Sequence, residues 1–286
     1  MVSVVKKIQV VRAEVELVED VEIELLLEGL FRVYGADFRN YAPASLKRRI
    51  LESMRSEKMM TISGYQDCVL HDRACMERLL VRLSIHVTSM FRDPSFYRAF
   101  RERVVPLLRT YPRLRIWHAG CSTGEEVYSM AILLQEEGLY ERTTIYATDI
   151  SKDVLRQARD GIFPLAAMQE YTGNYIKAGG KQQFSDYYTA QYDNVMFHPA
   201  LKTNLVFSEH NLVTDSSFNE FHVILCRNVM IYFNKTLQVR VHELIYQSLV
   251  TLGIFGIGNK ESLRFTPREH DYEELDPEDR LYRKIR

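Results

Sequence analysis

A short polar turn near the middle of the chain is the stretch best suited to hold a ligand. Residues 120–124, Gly-Cys-Ser-Thr-Gly, separate a β-leaning run at 115–119 from a run that starts at Glu125 with apolar residues at helical spacing. A strand that passes through a glycine turn into a helix opens a doubly wound α/β domain, and nucleotide-like ligands bind above such a turn. We therefore predict a binding site that includes Gly120 and Ser122.

The residues that follow this turn, Glu125 and Glu126, indicate the kind of ligand. Acids suit the positive end of a helix dipole, but they would repel a pyrophosphate bound to the same amides. The turn also lacks the three glycines of the dinucleotide-binding pattern. S-adenosylmethionine (AdoMet), which has an ammonium, a sulfonium and no phosphate, fits better. Ordinary first-turn acids of a helix would give the same pattern, and that interpretation stays open.

A second strand-like run, at 143–148, ends in Asp149 ahead of a helix-like run at 151–159. An acid at the tip of the second strand, one βα unit after the glycine turn, is placed to accept both ribose hydroxyls of an adenosyl group. Asp149 and Ser151 are equally compatible with a helix N-cap.

Two later strand-like runs end in polar residues on the same predicted edge. Residues 204–212 end in Asn211 and Leu212, and residues 221–228 end in Arg227 and Asn228. Because strand tips on one side of a parallel sheet converge on one crevice, we expect these residues near the turn.

Length and composition bound the rest of the molecule. The 286 residues suggest two domains, and a formal net charge of -1 gives no reason to expect nucleic acid as a partner. The four cysteines and eight histidines show no metal-ligand spacing, so we predict reduced thiols and no metal site. Since the sequence has no signal peptide and no apolar run of about 18 residues, we expect a cytoplasmic protein without membrane insertion.

The N-terminal part is predicted to be a small helical domain at 22–92, with Ser45 as the cap of its second helix. Residues 1–21 are a leader compatible with an extra strand, a linker or a frayed segment. On the second helix, Arg48 and Arg55 lie two turns apart on one side. This basic surface is either a solvated face or a docking face for an acidic helical partner.

A polar, turn-like segment leads out of the helical part. It contains Thr88 and Arg92, and Pro94 is expected to open a linker helix within 93–112 that runs from Phe96 to Leu108. The α/β domain then occupies 113–286. The guanidinium of Arg92 is well shaped to hold a carboxylate, although Thr88 and Arg92 are also compatible with a bystander role.

Residues 161–201 interrupt the α/β pattern. This region contains a Gly179-Gly180 turn and alternating stretches such as 183–188 and 194–197, and short strands joined by a glycine turn predict a small antiparallel β-insertion. An exposed edge strand of such an insertion accepts a peptide by strand addition. A lid or a decoration without a function of its own is the alternative.

Several of these stretches, taken together, resemble the CheR family of chemotaxis receptor glutamate O-methyltransferases. The matching residues are Thr88-x-x-Phe91-Arg92, AGCSTGEEVYS at 119–129, ATDI at 147–150, Asn211-Leu212 and CRNVMIYF at 226–233. The match runs from about residue 22 to the C-terminus, and the motifs at 122–129 and 226–233 are the most specific.

The resemblance implies an N-terminal helical domain joined to a Rossmann-like, AdoMet-dependent methyltransferase domain with a small β-subdomain. Residues at matched positions would hold AdoMet: Thr88, Arg92, Glu126, Asp149, Asn211, Leu212, Arg227 and Asn228. Arg92 and Tyr232 would line the methyl-transfer site. The chain departs from the family at His86, where Asn is common, and at Met90, where a second Phe is common; His86 is expected to donate a hydrogen bond to AdoMet.

The implied reaction moves a methyl group from AdoMet to glutamate side chains of methyl-accepting chemotaxis receptors, or of a related signalling protein, and leaves S-adenosylhomocysteine (SAH). A glutamate with a pKa of about 4.3 is already an anion at neutral pH, so it needs no general base. In the family, the acceptor glutamates lie on acidic receptor helices, and some relatives tether a receptor-tail peptide through the β-subdomain. Two other classes stay open, a methyltransferase for small carboxylic acids and a non-catalytic AdoMet-responsive adaptor.

Overall fold

The computed structural model of the protein describes residues 2–83, 88–264 and 266–286, with side chains from residue 18 onward except that of Val81. The chain divides into two compact units. The first comprises residues 1–85 together with 232–237, and the second comprises 86–231 and 238–286. The helical domain predicted at 22–92 lies mostly in the first unit. That unit has its boundary at residue 85 and also contains the short segment at 232–237.

The first unit is built on four helices. They are α1 (Val2–Tyr34), α2 (Pro43–Ser56), α3 (Ile62–His71) and α4 (Arg73–Leu83). Their facing sides carry the predicted apolar stripes, and Leu26, Leu30, Ile50 and Leu79 have no exposed surface. The all-helical prediction for this part is confirmed.

One local prediction in this unit is wrong, and one open question has an answer. The leader is compatible in sequence with a strand, a linker or a frayed segment, and from residue 2 onward it belongs to α1; residues 2–28 contain no glycine or proline, the strongest helix breakers. Ser45 does not cap α2, which begins two residues earlier at Pro43 after Ala42. Proline is favoured at a first helical position, where its missing N–H costs nothing.

The segment at 232–237 pairs with the chain ahead of α2. The Ala42 amide donates to the Tyr232 carbonyl at 2.8 Å, and the Asn234 amide donates to the Asn40 carbonyl at 2.8 Å. Tyr41 and Phe233 form an antiparallel bridge between these hydrogen bonds. A sequence pattern gives no warning of this pairing, because its partners lie far apart along the chain.

The second unit contains a mixed seven-stranded sheet with the order β6-β2-β1-β7-β8-β10-β9. Its strands are β1 (Leu114–Ala119), β2 (Thr143–Asp149), β6 (Leu205–Glu209), β7 (Phe221–Cys226), β8 (Leu249–Ile257), β9 (Tyr272–Asp276) and β10 (Leu281–Lys284). The strands from β6 to β8 in this order are parallel, and β10 pairs antiparallel with both β8 and β9. The predicted α/β class is confirmed, and the sheet resembles a Rossmann-like methyltransferase fold.

The chain crosses this sheet so that a crevice opens beside β1. It runs from β1 outward to β2 and β6, and it then returns to β7 on the opposite side of β1. The crossover helices include α7 (Glu125–Glu136) and α8 (Lys152–Asp160). Such a reversal of strand order is the place where open α/β sheets bind ligands at the carboxyl ends of the strands.

The predicted linker helix belongs to this unit and is not a regular α-helix throughout. It begins at Pro94, as predicted, and consists of α5 (Pro94–Ala99), a π-helical turn (Phe100–Val104) and α6 (Val105–Leu108). Pro106 has no N–H for the regular α-helical hydrogen bond, and its ring crowds the preceding turn. The π-helical turn lies directly ahead of it, where that disruption is expected.

The insertion is a small three-stranded antiparallel sheet with the order β3-β5-β4 and one helix. Its elements are β3 (Ile162–Pro164), α9 (Met168–Lys177), β4 (Tyr188–Gln191) and β5 (Asn194–Phe197). The predicted glycine hairpin is wrong, because Gly179-Gly180 follows the end of α9 and the β4–β5 turn lies at Tyr192 and Asp193. Tyrosines that suggested strands lie partly on α9, where Tyr171 and Tyr175 are buried.

A further α-helix among the described residues, α10 (Lys235–Ser248), lies between β7 and β8 along the chain. Over the described ranges, every helix is too short or too polar to serve as a membrane span.

Candidate active site

Four of the five backbone amides in the turn between β1 and α7 donate hydrogen bonds within the protein itself. The Gly120 and Cys121 amides both donate to the Thr148 carbonyl at 2.9 Å. The Ser122 amide donates to Asp149 Oδ2 at 2.9 Å, and the Gly124 amide donates to the Cys121 carbonyl at 3.1 Å. A pyrophosphate site needs such amides to point at the ligand. The turn is therefore unsuited to a dinucleotide, in agreement with the sequence.

Both glycines of the turn are required by its backbone. Gly120 has φ +80°, and a Cβ there would lie 2.6 Å from Val229 Cγ2. Gly124 has φ +97°, and its Cβ would lie 2.9 Å from the Cβ of Ala158. Any side chain at either position would combine strain with a clash. The two glycines thus let the turn pack against the loop after β7 and against α8.

Asp149 ties this turn to the tip of β2. Its Oδ2 accepts the Ser122 amide, and its Oδ1 accepts the Ser151 amide at 3.1 Å, at the start of α8. An ionised carboxylate has about four acceptor positions, so two hydrogen bonds leave capacity for a ligand hydroxyl. The N-cap residue of α8 is Ser151, whose side chain makes no capping hydrogen bond. Asp149 instead accepts the amide of that residue, and this contact is compatible with ligand binding.

Glu126 lies at the centre of a buried charge network. Its Oε2 is 3.0 Å from Arg227 Nη1, and Arg227 Nη2 is 2.9 Å from Asp93 Oδ2. Its Oε1 is 2.9 Å from His118 Nδ1. The Arg227 guanidinium also lies over the Phe96 ring, 4.0 Å from its centroid. The network brings together residues from β1, α7, the segment after β7 and the residue before Pro94.

Electrostatics keep Glu126 and Arg227 ionised. Burial alone would raise the pKa of Glu126, but the hydrogen bond from His118 and the charge of Arg227 lower that pKa below its ordinary value. Burial acts to lower the pKa of Arg227, and Glu126 with its anionic surroundings raises it instead. A cation paired with Glu126 on one side leaves the remaining lone pairs of this carboxylate for a further donor.

The neighbouring acid, Glu125, has a different environment. It is buried, and Thr123 Oγ1 donates to its Oε2 at 2.6 Å. Burial raises its pKa above the ordinary value, which the hydrogen bond from Thr123 only partly offsets. Of the two acids after the turn, Glu126 is thus the one suited to a cationic ligand.

Arg92 lies in a strained turn. Its neighbours Phe91 and Asp93 have φ of +51° and +55°, which is unfavourable for residues with a Cβ. The Phe91 amide donates to Ser129 Oγ at 2.9 Å, and Arg227 Nη2 donates to the Arg92 carbonyl at 3.2 Å. Strain of this kind persists only where the surroundings enforce it, and it clusters at functional sites.

Of the other predicted ligand-binding residues, Asn211, Leu212 and Asn228 lie in the segments that follow β6 and β7. The His210 amide donates to the Asp149 carbonyl at 3.2 Å, which brings Asn211 and Leu212 next to the tip of β2. Asn228 follows Arg227 after β7 and has φ +60°. Thr88 is partly exposed, at the start of the described segment that leads to Arg92. His86 lies outside the described residues.

Sequence reasoning missed Glu261, which shapes the loop after β7. This buried carboxylate accepts the Asn228 amide at 2.9 Å, the Ile231 amide at 3.2 Å and the Gly258 amide at 2.6 Å. Burial raises the pKa of Glu261, an effect that these backbone donors oppose. A single glutamate three residues after Gly258 carries no local sequence signal for this role.

The remaining predicted residues lie in the helical unit. Tyr232 has the guanidinium of Arg49 over its ring at 5.0 Å, and Arg49 Nη1 also donates to the Leu83 carbonyl at 2.8 Å. No sequence signal marks this buried arginine, since the predicted basic surface consisted of Arg48 and Arg55 with Lys47 and Lys58 on an adjoining side. Both of these are exposed.

The basic surface of α2 is less charged than its sequence suggests. Glu52 lies between the two arginines, 4.0 Å from Arg48. Lys47 is paired with Asp20 at 2.7 Å and with Glu19 at 3.1 Å. Because Lys47 is already paired, the positive charge that α2 can present to an acidic partner comes from Arg48 and Arg55.

The donors and acceptors of the crevice fit AdoMet. Asp149 and Glu126 offer acceptors for hydroxyl and ammonium groups, and the committed amides of the turn offer nothing to a phosphate. Within the described ranges, no group of three or more His, Cys, Asp or Glu side chains is arranged to hold a metal ion.

Comparison with known proteins assigns the family. The family model described as CheR methyltransferase, SAM binding domain, matches residues 86–277, and the one described as CheR methyltransferase, all-alpha domain, matches residues 21–84. The chain belongs to the CheR methyltransferase family. It is therefore an AdoMet-dependent methyltransferase, and the prediction of AdoMet as its cofactor is confirmed.

Individual relatives agree with this assignment. Cher3 of Pseudomonas putida, a provisionally named methyltransferase, is 50% identical over 265 residues, which cover 93% of this chain and 97% of that protein. A chemotaxis protein methyltransferase of Listeria monocytogenes is 28% identical over 81% of this chain and 86% of its own length. An uncharacterized 104.1 kDa protein of Rhodobacter capsulatus is 28% identical over 87% of this chain, which spans only 26% of that protein.

Proposed function

We propose that this CheR family member transfers the AdoMet methyl group to glutamate side chains of chemoreceptor helices, or of a related signalling protein, and forms glutamyl methyl esters. The observation that carries this proposal is the crevice itself, where Glu126 and Asp149 stand beside the strained turn that bears Arg92. The relative from Listeria monocytogenes is named a chemotaxis protein methyltransferase, which supports the receptor as substrate.

The residues of the crevice divide the work of binding. We assign Asp149 to the ribose hydroxyls and Glu126 to the ammonium group of AdoMet. Gly120 and Ser122 shape the turn beneath the ligand, Asn211 and Leu212 border the adenosyl end, and Arg227 and Asn228 close the side after β7. Thr88 and His86 belong to the segment that leads to Arg92.

The reaction needs alignment more than proton transfer. AdoMet supplies a methyl group activated by its sulfonium. An acceptor glutamate is already ionised at neutral pH, so no general base is required. We propose that Arg92 and Tyr232 orient the acceptor carboxylate and exclude water from it, which is sufficient for direct displacement.

The acceptor itself is proposed to dock on the exposed arginines of α2. Arg48 and Arg55 are the unburied cations of this helix face, and acidic receptor helices complement them. Since such receptor helices are cytoplasmic in the family, we place the enzyme in the cytoplasm.

A receptor-tail peptide has a candidate position on the insertion. Both β3 and β4 are edge strands of its sheet, and residues 189–191 of β4 are exposed. An extended peptide adds to such an edge through main-chain hydrogen bonds. Titration of the protein with receptor-tail peptides tests this point separately from methyl transfer.

Label from methyl-tritiated AdoMet tests the proposal. The purified protein is incubated with a cytoplasmic chemoreceptor fragment, and alkali is then used to release the label as methanol. Alkali-labile label that disappears when the acceptor glutamates are changed to glutamine supports the proposal. AdoMet binding without any transfer would favour the adaptor, and transfer only to small carboxylic acids would favour the small-molecule enzyme.

A further inference from the structure

His118 is a buried histidine that the reaction outlined above does not use. It lies on β1 and has no exposed surface. Its Nδ1 is 2.9 Å from Glu126 Oε1, and its Nε2 is buried without a hydrogen-bond partner in the structure. A buried polar ring costs free energy unless its hydrogen bond compensates. The hydrogen bond to Glu126 is therefore the contact that compensates for the burial of His118, and it links this histidine to the ligand site.

The protonation of His118 follows from its neighbour. An ionised Glu126 can only accept hydrogen bonds, so Nδ1 must carry the hydrogen that lies between them. If Nε2 were also protonated, a charged donor would be buried without an acceptor, which is the more costly arrangement. We therefore assign the neutral tautomer with its hydrogen on Nδ1.

This assignment fixes the charge of the network. Glu126 and Asp93 are anions, Arg227 is a cation and His118 is neutral, so the four groups together carry one negative charge. The Tyr97 phenol, which also lies near Arg227, stays neutral because burial raises its pKa. One buried negative charge complements one ammonium group.

His118 and Arg227 contact different oxygens of the Glu126 carboxylate. Arg227 holds Oε2 and His118 holds Oε1, so the plane of the carboxylate is fixed from both sides. The Glu126 side chain is still 18% exposed and remains accessible to a ligand. An orientation fixed before the ligand arrives avoids an ordering cost at binding.

We propose that His118 is a positioning residue that holds the Glu126 carboxylate in the orientation required by the ammonium group of AdoMet and SAH. This inference rests on the proposed AdoMet site, and it adds a residue that acts on the ligand only through Glu126. The nucleoside end of the ligand is held by other residues, so it does not depend on His118.

This difference between the two ends of the ligand provides the test. SAH carries the ammonium group, whereas 5′-methylthioadenosine has the same nucleoside and thioether without any amino-acid group. The affinities of both ligands are measured by calorimetry, with competition for the weaker one, on the wild type and three variants. His118→Phe keeps the ring shape and removes the donor, whereas His118→Asn keeps a donor near the position of Nδ1. His242→Phe is the matched control, because His242 is also a buried histidine of the same unit, on α10.

We expect His118→Phe to weaken SAH binding at least tenfold and to change methylthioadenosine binding less than twofold. His118→Asn should recover most of the SAH affinity, and His242→Phe should leave it unchanged. Unchanged SAH binding in His118→Phe would overturn the proposal, and so would an equal loss for both ligands. If His118→Phe does not fold, an SAH affinity in His118→Asn tenfold below the wild type would also overturn it. A wild type that binds neither ligand would instead refute the AdoMet site itself.

Discussion

The carboxylate of Asp149 accepts the backbone amide of Ser122 at 2.9 Å, so the tip of β2 and the turn after β1 are directly joined. The same carboxylate accepts the Ser151 amide, at the start of α8. One side chain therefore sets the backbone on both sides of the crevice, and it retains acceptor positions for a ligand. Its replacement should affect the shape of the site as well as its charge.

Asp149→Asn is expected to weaken AdoMet binding by ~10-fold or more. The amide of the asparagine accepts through one atom only, so either Ser122 or Ser151 loses its acceptor, at a cost of about 1–3 kcal/mol. Calorimetry measures the affinity. Asp153→Asn is the matched control, because Asp153 is an exposed acid on α8. An Asp149→Asn variant with wild-type affinity would show that the ribose end is held elsewhere.

Arg227→Met is expected to lower the free energy of unfolding by about 3 kcal/mol and to abolish AdoMet binding. The change leaves the partly buried carboxylates of Asp93 and Glu126 without their common cation, which is costly even though such an ion pair itself adds little. Urea denaturation and calorimetry measure the two effects. Arg156→Met serves as control, since that side chain is 72% exposed, and should change neither quantity by more than about 0.5 kcal/mol.

Much of this site follows from local sequence, because strand, turn and helix signals are local. Local spacing predicts the turn at 120–124 and Asp149, and the tips of β6 and β7 follow from their position after apolar runs. The same spacing points to Glu125 and Glu126 together, and only the family resemblance selects Glu126. Three contributors were missed: His118, Arg49 and Glu261. Each acts on a partner that is either buried or distant in sequence, as when Glu261 binds the amides of Asn228 and Ile231. Hydrophobic periodicity does not encode such contacts.

The π-helical turn ahead of Pro106 was also not predicted, although the proline is a local signal for an irregular helix.

Glu261→Gln tests the loop after β7. All the donors that reach Glu261 are backbone amides, so the NH₂ group of glutamine would face at least one of them. We expect a loss of about 1–3 kcal/mol in the free energy of unfolding and weaker AdoMet binding, since the same loop carries Asn228. Thermal unfolding and calorimetry measure these effects, with the exposed Glu278→Gln as control. A variant as stable as the wild type would contradict the proposed role of Glu261 in holding the backbone amides of this loop.

The stability of the second unit should fall in acid in part through Glu137. Burial would raise the pKa of Glu137, but Lys181 and Arg101, both 2.7 Å away, lower it below its ordinary value of 4.5. A lowered folded-state pKa means that this contribution is present above about pH 4.5 and is lost as the pH falls through the lowered value.

Glu137→Gln should therefore destabilise the protein at pH 7 and make its urea midpoint less dependent on pH below 4.5. Denaturation curves at a series of pH values measure this, and Glu141→Gln at an exposed position is the control. If the urea midpoint of Glu137→Gln falls with decreasing pH as steeply as that of the wild type, the acid sensitivity belongs to other carboxylates.

Charge reversal on α2 should separate a protein acceptor from a small one. Arg48→Glu combined with Arg55→Glu should reduce kcat/KM for a receptor fragment by ~10-fold or more, because like charges would then oppose an acidic helix. AdoMet affinity should not change, since the contacts around Glu126 and Asp149 involve residues of the second unit only.

Arg73→Glu provides the matched control for this pair. Arg73 is an exposed arginine on α4 with an acid at i+4, as Arg48 has on α2. Equal activity losses in the control and in the α2 variant would indicate a general charge effect. Full activity of the α2 variant on the receptor fragment would exclude this face as the docking surface.

Calorimetric titration of the wild-type protein with SAH is the most direct test of the central claim, that the crevice at the tips of β1, β2 and β7 holds the adenosyl ligand. We predict saturable binding of one SAH per chain, with AdoMet competing for the same site. A folded protein that binds neither ligand would show that this crevice is not an AdoMet site.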